Sequence, residues 1–215
     1  MIQTNKLFAK IFMWLFVGLA ITFSVGYYIQ GNEPLVNRIF GGGNYFIIWI
    51  VEIVVAIVLS VRIRKLNPTV AAILYMLYAA LTGLTFSTIF IVYQLTSIIF
   101  VFLISAIVVL VFGLVGYFTK LDLSKLSTLL FMALMALIIL SVVSVFVNSE
   151  TFNLGLTFLS LAIFLGYIAY DIQVIKRNLY GVEDENTLAI YGAFQVYIDF
   201  INVFIDLLRL FGKEK

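Results

Sequence analysis

"YIDFINVFIDLLRLFGKEK", residues 197–215, decides how the rest of the chain must be read. Most of it is apolar enough for lipid, yet it carries Asp199, Asn202, Asp206 and Arg209. A helix turns about 100° per residue. With Asp199 at zero, Gln195 falls near about −40°, Asn202 about −60°, Asp206 about −20°, and Tyr191 and Arg209 about −80°. All six fit an arc of about 80°. The polar residues therefore form one stripe on an oily helix, which suits a helix lining a polar interior.

The chain around this stretch has 215 residues, 64% of them hydrophobic and 11% charged. Soluble domains carry about 25% charged residues, so this composition points to an integral membrane protein along almost its whole length. The net charge of +2 is small and dispersed, which speaks against a nucleic-acid partner. There is no cysteine and no histidine. Thiolate chemistry, disulfides, His-metal ligation and a Ser-His-Asp triad are thereby excluded. Carboxylates remain, and they favour hard cations such as calcium.

Seven apolar stretches are long enough for a bilayer, at about 7–29, 44–62, 69–93, 95–118, 127–147, 152–175 and 187–211. The first follows Lys6 and Lys10 as a signal peptide would, but it is too long for such a core and no A-x-A site follows; it reads as the first transmembrane helix. "YQLTS" (93–97) predicts a tight hairpin, and "GGGNY" (41–45) is the clearest glycine break. Continuous rather than alternating runs exclude a β-barrel. The expected fold is all-α: one domain, residues 1–215, of seven transmembrane helices.

Lys6 and Lys10, then Arg62, Arg64 and Lys65, then Lys120 and Lys125, then Lys176 and Arg177 fall on one side of these spans. The other side's loops carry only Arg38, which predicts a cytoplasmic N-terminus. Seven spans then put Lys213 and Lys215 outside, against the rule. Either the tail tolerates this or the last segment does not cross fully.

Three spans hold acids at membrane depth: Glu52 in the second, Asp171 in the sixth, Asp199 and Asp206 in the seventh. Such acids usually face a bundle interior or a water-filled cavity. Asp206 and Arg209 could neutralise each other, and Asn202 could be an interhelical bonding residue. Asp199 lies ten residues, about 15 Å, from Arg209, so it needs a proton, an ion or another helix. Asp171 is the candidate partner, and two adjacent carboxylates share a proton. Straight helices put Asp199 about 10 Å deeper than Asp171, so the pair requires a later start or a tilt of the last helix. Glu52 reads either as a station for ions or as a protonated acid bonded to a neighbouring helix. Gly113 and Gly116 in "FGLVGYF" mark close packing. The tyrosines at 27, 28, 117, 180 and 191 read as interfacial, and Glu183, Asp184 and Glu185 as a solvated turn.

"GYIAYDIQVIKRN" (166–178) followed by "AFQVYIDFINVFIDLLRLFG" (193–212) resembles the transmembrane Bax inhibitor motif family, matching its Y-D-x-x-x-I and L-Y-L-D-F-I-N-L-F-x-x-L-L-R-x-x-G elements almost position by position. The resemblance is specific over about 45 residues; earlier residues match mainly in span count and in the pattern of Glu52 plus basic cluster. It implies six helices around a central seventh and a pH-sensitive calcium leak in a bacterial plasma membrane. It implies that Asp171 and Asp199 form a proton-sharing gate able to bind calcium. An arginine at the end of the second helix, Arg64 or Arg62, latches the first of them, and Glu52 serves the ion path. Asp206 departs from the family, where an uncharged residue is common; it either deepens the cation path with Asn202 or neutralises Arg209.

The functional expectation is thus a calcium leak, not an enzyme, with no cofactor and with calcium, protons and the lipid bilayer as partners. A proton-coupled cation exchanger could use the same carboxylates. A regulatory membrane protein could use the stripe to dock other helices.

Overall fold

The computed structural model describes residues 2–41, 44–147, 149–177 and 184–215. They form helices α1 (Ile2–Gln30), α2 (Glu33–Phe40), α3 (Asn44–Arg62), α4 (Pro68–Val92), α5 (Leu95–Phe118), α6 (Ser127–Val147), α7 (Glu150–Arg177) and α8 (Glu185–Phe211). Among the described residues there is no strand, only an isolated bridge between Tyr93 and Glu214. Six helices are long and apolar enough to cross a membrane: α1, α4, α5, α6, α7 and α8. The 19-residue α3 covers the second expected span, 44–62.

The ends of these helices follow local chemistry. Asn67 caps α4 by accepting the Val70 N–H, and Pro68 opens the helix, where its missing N–H costs nothing. The extended Tyr93 ends α4 two residues before α5 begins, so the expected tight hairpin is present. The amphipathic α2 is an element the span reading overlooks; Asn32 caps it and Pro34 sits in its first turn. Asp184 caps α8, its carboxylate accepting the Asn186 N–H at 2.9 Å and the Thr187 hydroxyl at 3.2 Å. Glu185 pairs with Lys10 at 3.0 Å. Asp184 and Glu185 are therefore not merely a solvated turn, while Glu183 lies outside the described residues.

The chain divides into two compact units. The first holds α1 to α4, α8 as far as Tyr197, and the last two residues. Here α1 packs along α4, and α3 also lies on α4. A Cβ at Gly18 would come within 2.0 Å of the Tyr75 hydroxyl, and one at Gly83 within 2.7 Å of Val25, so small residues set this close approach. The second unit holds α5 to α7 and α8 from Ile198 to Lys213. Both α5 and α6 pack on α7. A Cβ at Gly116 would lie 2.1 Å from the Ala169 carbonyl oxygen, whereas at Gly113 the nearest atom is 3.7 Å away. Of the two expected packing glycines, Gly116 makes the close contact.

Large apolar side chains cover the outside, with Phe146 83%, Phe16 73% and Ile107 62% exposed. A surface of this kind is stable against lipid. In contrast, α8 buries 72% of its most apolar window, against 11–39% for the other five long helices.

Candidate functional site

The acids of the second unit lie between α7 and α8. Asp171 is 7% exposed and Asp199 4%. The Asp199 carboxyl lies within side-chain hydrogen-bonding reach of Asp171. Its Oδ2 is buried with no partner. The expected pairing is thus present. A later start of the last helix is not the route to it, because α8 begins at Glu185, two residues earlier than expected. Tyr167, one turn before Asp171 on α7, is close enough to feel both charges. On the α5 side, the Phe102 ring packs at 5.3 Å on Phe200 and 6.4 Å on Phe204. The carboxyls therefore sit in an apolar frame, and a hydrogen bond between two carboxyls requires one proton to be shared.

The end of α7 beyond Asp171 is fastened to the α5–α6 connection. Gln173 donates to the Leu121 carbonyl at 2.8 Å and accepts the Leu123 N–H at 2.9 Å. Lys176 donates to the Tyr117 carbonyl at 2.7 Å and lies 4.1 Å from the centre of its ring. Arg177 pairs with Asp122, which also accepts from the Ser124 hydroxyl at 2.6 Å. These contacts, Ser124 first and Arg177 next, hold the Asp122 carboxyl down at about 2. Sequence reasoning used Lys176 and Arg177 only to orient the chain. Their partners lie more than fifty positions away, beyond the reach of any local pattern.

The other stripe residues take different roles. Asn202 turns its amide onto the Ile198 carbonyl of its own helix at 2.8 Å. Asp206 is 2% exposed; the Ser160 hydroxyl of α7 is within reach of it, and Arg209 stands 3.9 Å away.

In the first unit, Glu52 lies beside Thr82 and Thr85 of α4. The Thr82 hydroxyl is also near Tyr78 and Tyr197, yet it makes no well-formed hydrogen bond. Thr22 and Tyr197 join hydroxyls at 2.6 Å, and Thr22 also lies 2.9 Å from the Ala79 carbonyl. Tyr197 is therefore a buried bonding residue inside the motif. Arg64 stacks on the Tyr191 ring at 5.1 Å, so this tyrosine is engaged rather than simply interfacial. Arg62 is exposed at the end of α3.

A family model described as inhibitor of apoptosis-promoting Bax1 matches residues 4–215. This chain belongs to the Bax inhibitor family. The Escherichia coli strain K12 inner membrane protein YbhL is 37% identical over 213 residues, covering 96% of this chain and 91% of that protein. An uncharacterized protein of Deinococcus radiodurans is 32% identical over 211 residues, covering 97% and 90%. A Streptococcus pyogenes uncharacterized membrane protein is 37% identical over 73 residues, 33% of this chain and 32% of that protein. Family membership and six membrane-length helices together make this an integral membrane protein. The family match spans the whole bundle, beyond the 45 residues that carry the motif.

Among the described residues no group of three or more acidic, His or Cys side chains gathers as a metal cage. Calcium takes about six to eight oxygens, more than two carboxyls supply.

Proposed function

We propose that this protein is a pH-sensitive calcium leak of the membrane, gated by the Asp171–Asp199 pair. The observation that carries the reading is the pair itself: two buried carboxyls within hydrogen-bonding reach, one with an oxygen left over. While the pair holds its shared proton it carries a single negative charge and plugs the seam. Once that proton leaves, two adjacent carboxylates repel and attract a hard cation. No covalent step or cofactor is needed. The family resemblance assigns the latch to Arg64 or Arg62 and an ion-path role to Glu52.

In this reading α3 is the seventh span, since 19 residues reach about 28 Å as a helix. The strongly buried α8 is the inner helix that the others surround, and the N-terminus is cytoplasmic, as the basic loops suggest.

Calcium entry into dye-loaded proteoliposomes, measured at several pH values, tests the proposal. Wild-type flux should vary with pH, and Asp171→Asn and Asp199→Asn should each flatten or displace that profile. Identical flux and pH profile in both variants would sink the reading. A stoichiometric proton counter-movement would replace the leak with an exchanger, and no flux at any pH would favour helix docking.

A further inference from the structure

Asp206 is a buried acid that the Asp171–Asp199 gate does not use. It is 2% exposed and its Oδ2 has no hydrogen-bond partner. Seven residues separate it from Asp199, which is about −20° around the helix and about 10.5 Å along it. The two acids therefore share one face of α8. Ser160, whose hydroxyl is in reach of Asp206, lies eleven residues before Asp171, about 20° around α7. The two helices thus meet at two polar rungs along one seam: Asp171 with Asp199, and Ser160 with Asp206.

Arg209 does not account for this acid. Its Nη1 is 3.9 Å from Asp206 Oδ1, at the limit of an ion pair, and its side chain is 61% exposed while that of Asp206 is 3% exposed. A neutralising guanidinium would lie closer and share the burial, because a buried carboxylate left half-paired is costly. The free Oδ2 is an unused ligand atom at membrane depth. A carboxylate and a serine hydroxyl are hard oxygen donors, suited to a hard divalent cation and too few to trap one.

We propose that Asp206 and Ser160 form a second cation station on the α7–α8 seam, taking a divalent cation of the calcium class, with Arg209 as the competing charge that swings aside. As a stage of a conducting path the station rests on the leak reading; as a binding site it stands alone.

Equilibrium binding of radioactive calcium to the purified full chain in detergent separates the two. The reference is the double variant Asp171→Asn/Asp199→Asn, which removes the gate. It should still bind calcium weakly. Adding Asp206→Asn should abolish this binding, adding Ser160→Ala should weaken it several-fold, and adding Arg209→Gln should tighten it several-fold. Ser160→Ala and Arg209→Gln keep the test decisive if Asp206→Asn fails to fold. Absence of binding in the double variant overturns the station, as does binding indifferent to Asp206→Asn or weakened by Arg209→Gln. Asp206-dependent binding in a protein that passes no calcium in proteoliposomes would discard the leak and keep the station.

Discussion

Asp122 and Asp199 are the same side chain put to opposite uses. Asp199 is 4% exposed and faces another acid, whereas Asp122 lies on the exposed α5–α6 connection among donors. Its ties to Ser124 and Arg177 hold it at about 2, below the ordinary 3.8. A lowered pKa means that the clasp's contribution to stability is complete above about 3.8 and is lost as pH falls through about 2. The clasp therefore stays closed throughout the neutral and mildly acidic range. A pH response of flux in that range therefore does not come from this clasp. The carboxyl carbon of Asp122, followed by NMR, should titrate near 2; a midpoint near 4 would mean that the Ser124 and Arg177 contacts do not form in solution. The Asp122→Asn variant should likewise leave the pH profile of flux in place.

Helix pairs hold these residues at their depth, and α5 approaches α7 closely at Gly116. Gly116→Ala would drive a Cβ to 2.1 Å from the Ala169 carbonyl, a backbone atom that cannot rotate away. The helices must part, at a cost of about 1–3 kcal/mol. Because Ala169 lies two residues before Asp171, the same change should also disturb the acid pair. Thermal unfolding in detergent should show a clear fall in Tm for Gly116→Ala, while Gly113→Ala, with its nearest neighbour at 3.7 Å, should melt like wild type. Gln173→Ala should release the connection instead, seen as faster hydrogen exchange at the Leu123 amide. Sequence pattern reached part of this. The long apolar runs located the long helices to within a few residues, because length and hydropathy suffice to mark them. The helical period put Asp199 and Asp206 on one face. Pairing across α7 and α8 was less legible, since straight-helix depth argued against a contact that the structure forms. The short α2 was readable in principle from Asn32 and Pro34, but a search for bilayer-length runs passes over eight residues. Gln173 carries no such signal, because its partners are backbone atoms about fifty positions distant.

At the scale of the whole chain, the question is how many times it crosses and where its end lies. The basic residues put Lys65, Lys120 and Lys125 on one side, and chain parity puts the α4–α5 turn on the other. The tail then becomes a physical marker. The Lys215 N–H donates to the Val92 carbonyl at 2.9 Å, its ammonium donates to the Phe90 carbonyl at 2.7 Å, and Gln94 donates to the Glu214 carbonyl at 2.9 Å. A tail bonded to the end of α4 must share that side of the membrane. The proposed seven-span arrangement puts these lysines outside, and there Lys215 has a local role: it supplies a donor to a carbonyl in the last turn of α4, where a cation is also favoured by the helix dipole. The chain has no cysteine, so single introduced thiols report without background. In intact cells, a membrane-impermeant maleimide should label Thr96→Cys and Glu214→Cys together. Lys65→Cys and Lys125→Cys should react only after the membrane is opened. Labelling of Glu214→Cys with the second pair would mean that the last helix turns back within the membrane, and the seven-span arrangement would have to be abandoned. An Asn32→Cys thiol that reacts only after the membrane is opened, together with Lys65→Cys, would instead remove α3 from the count of spans.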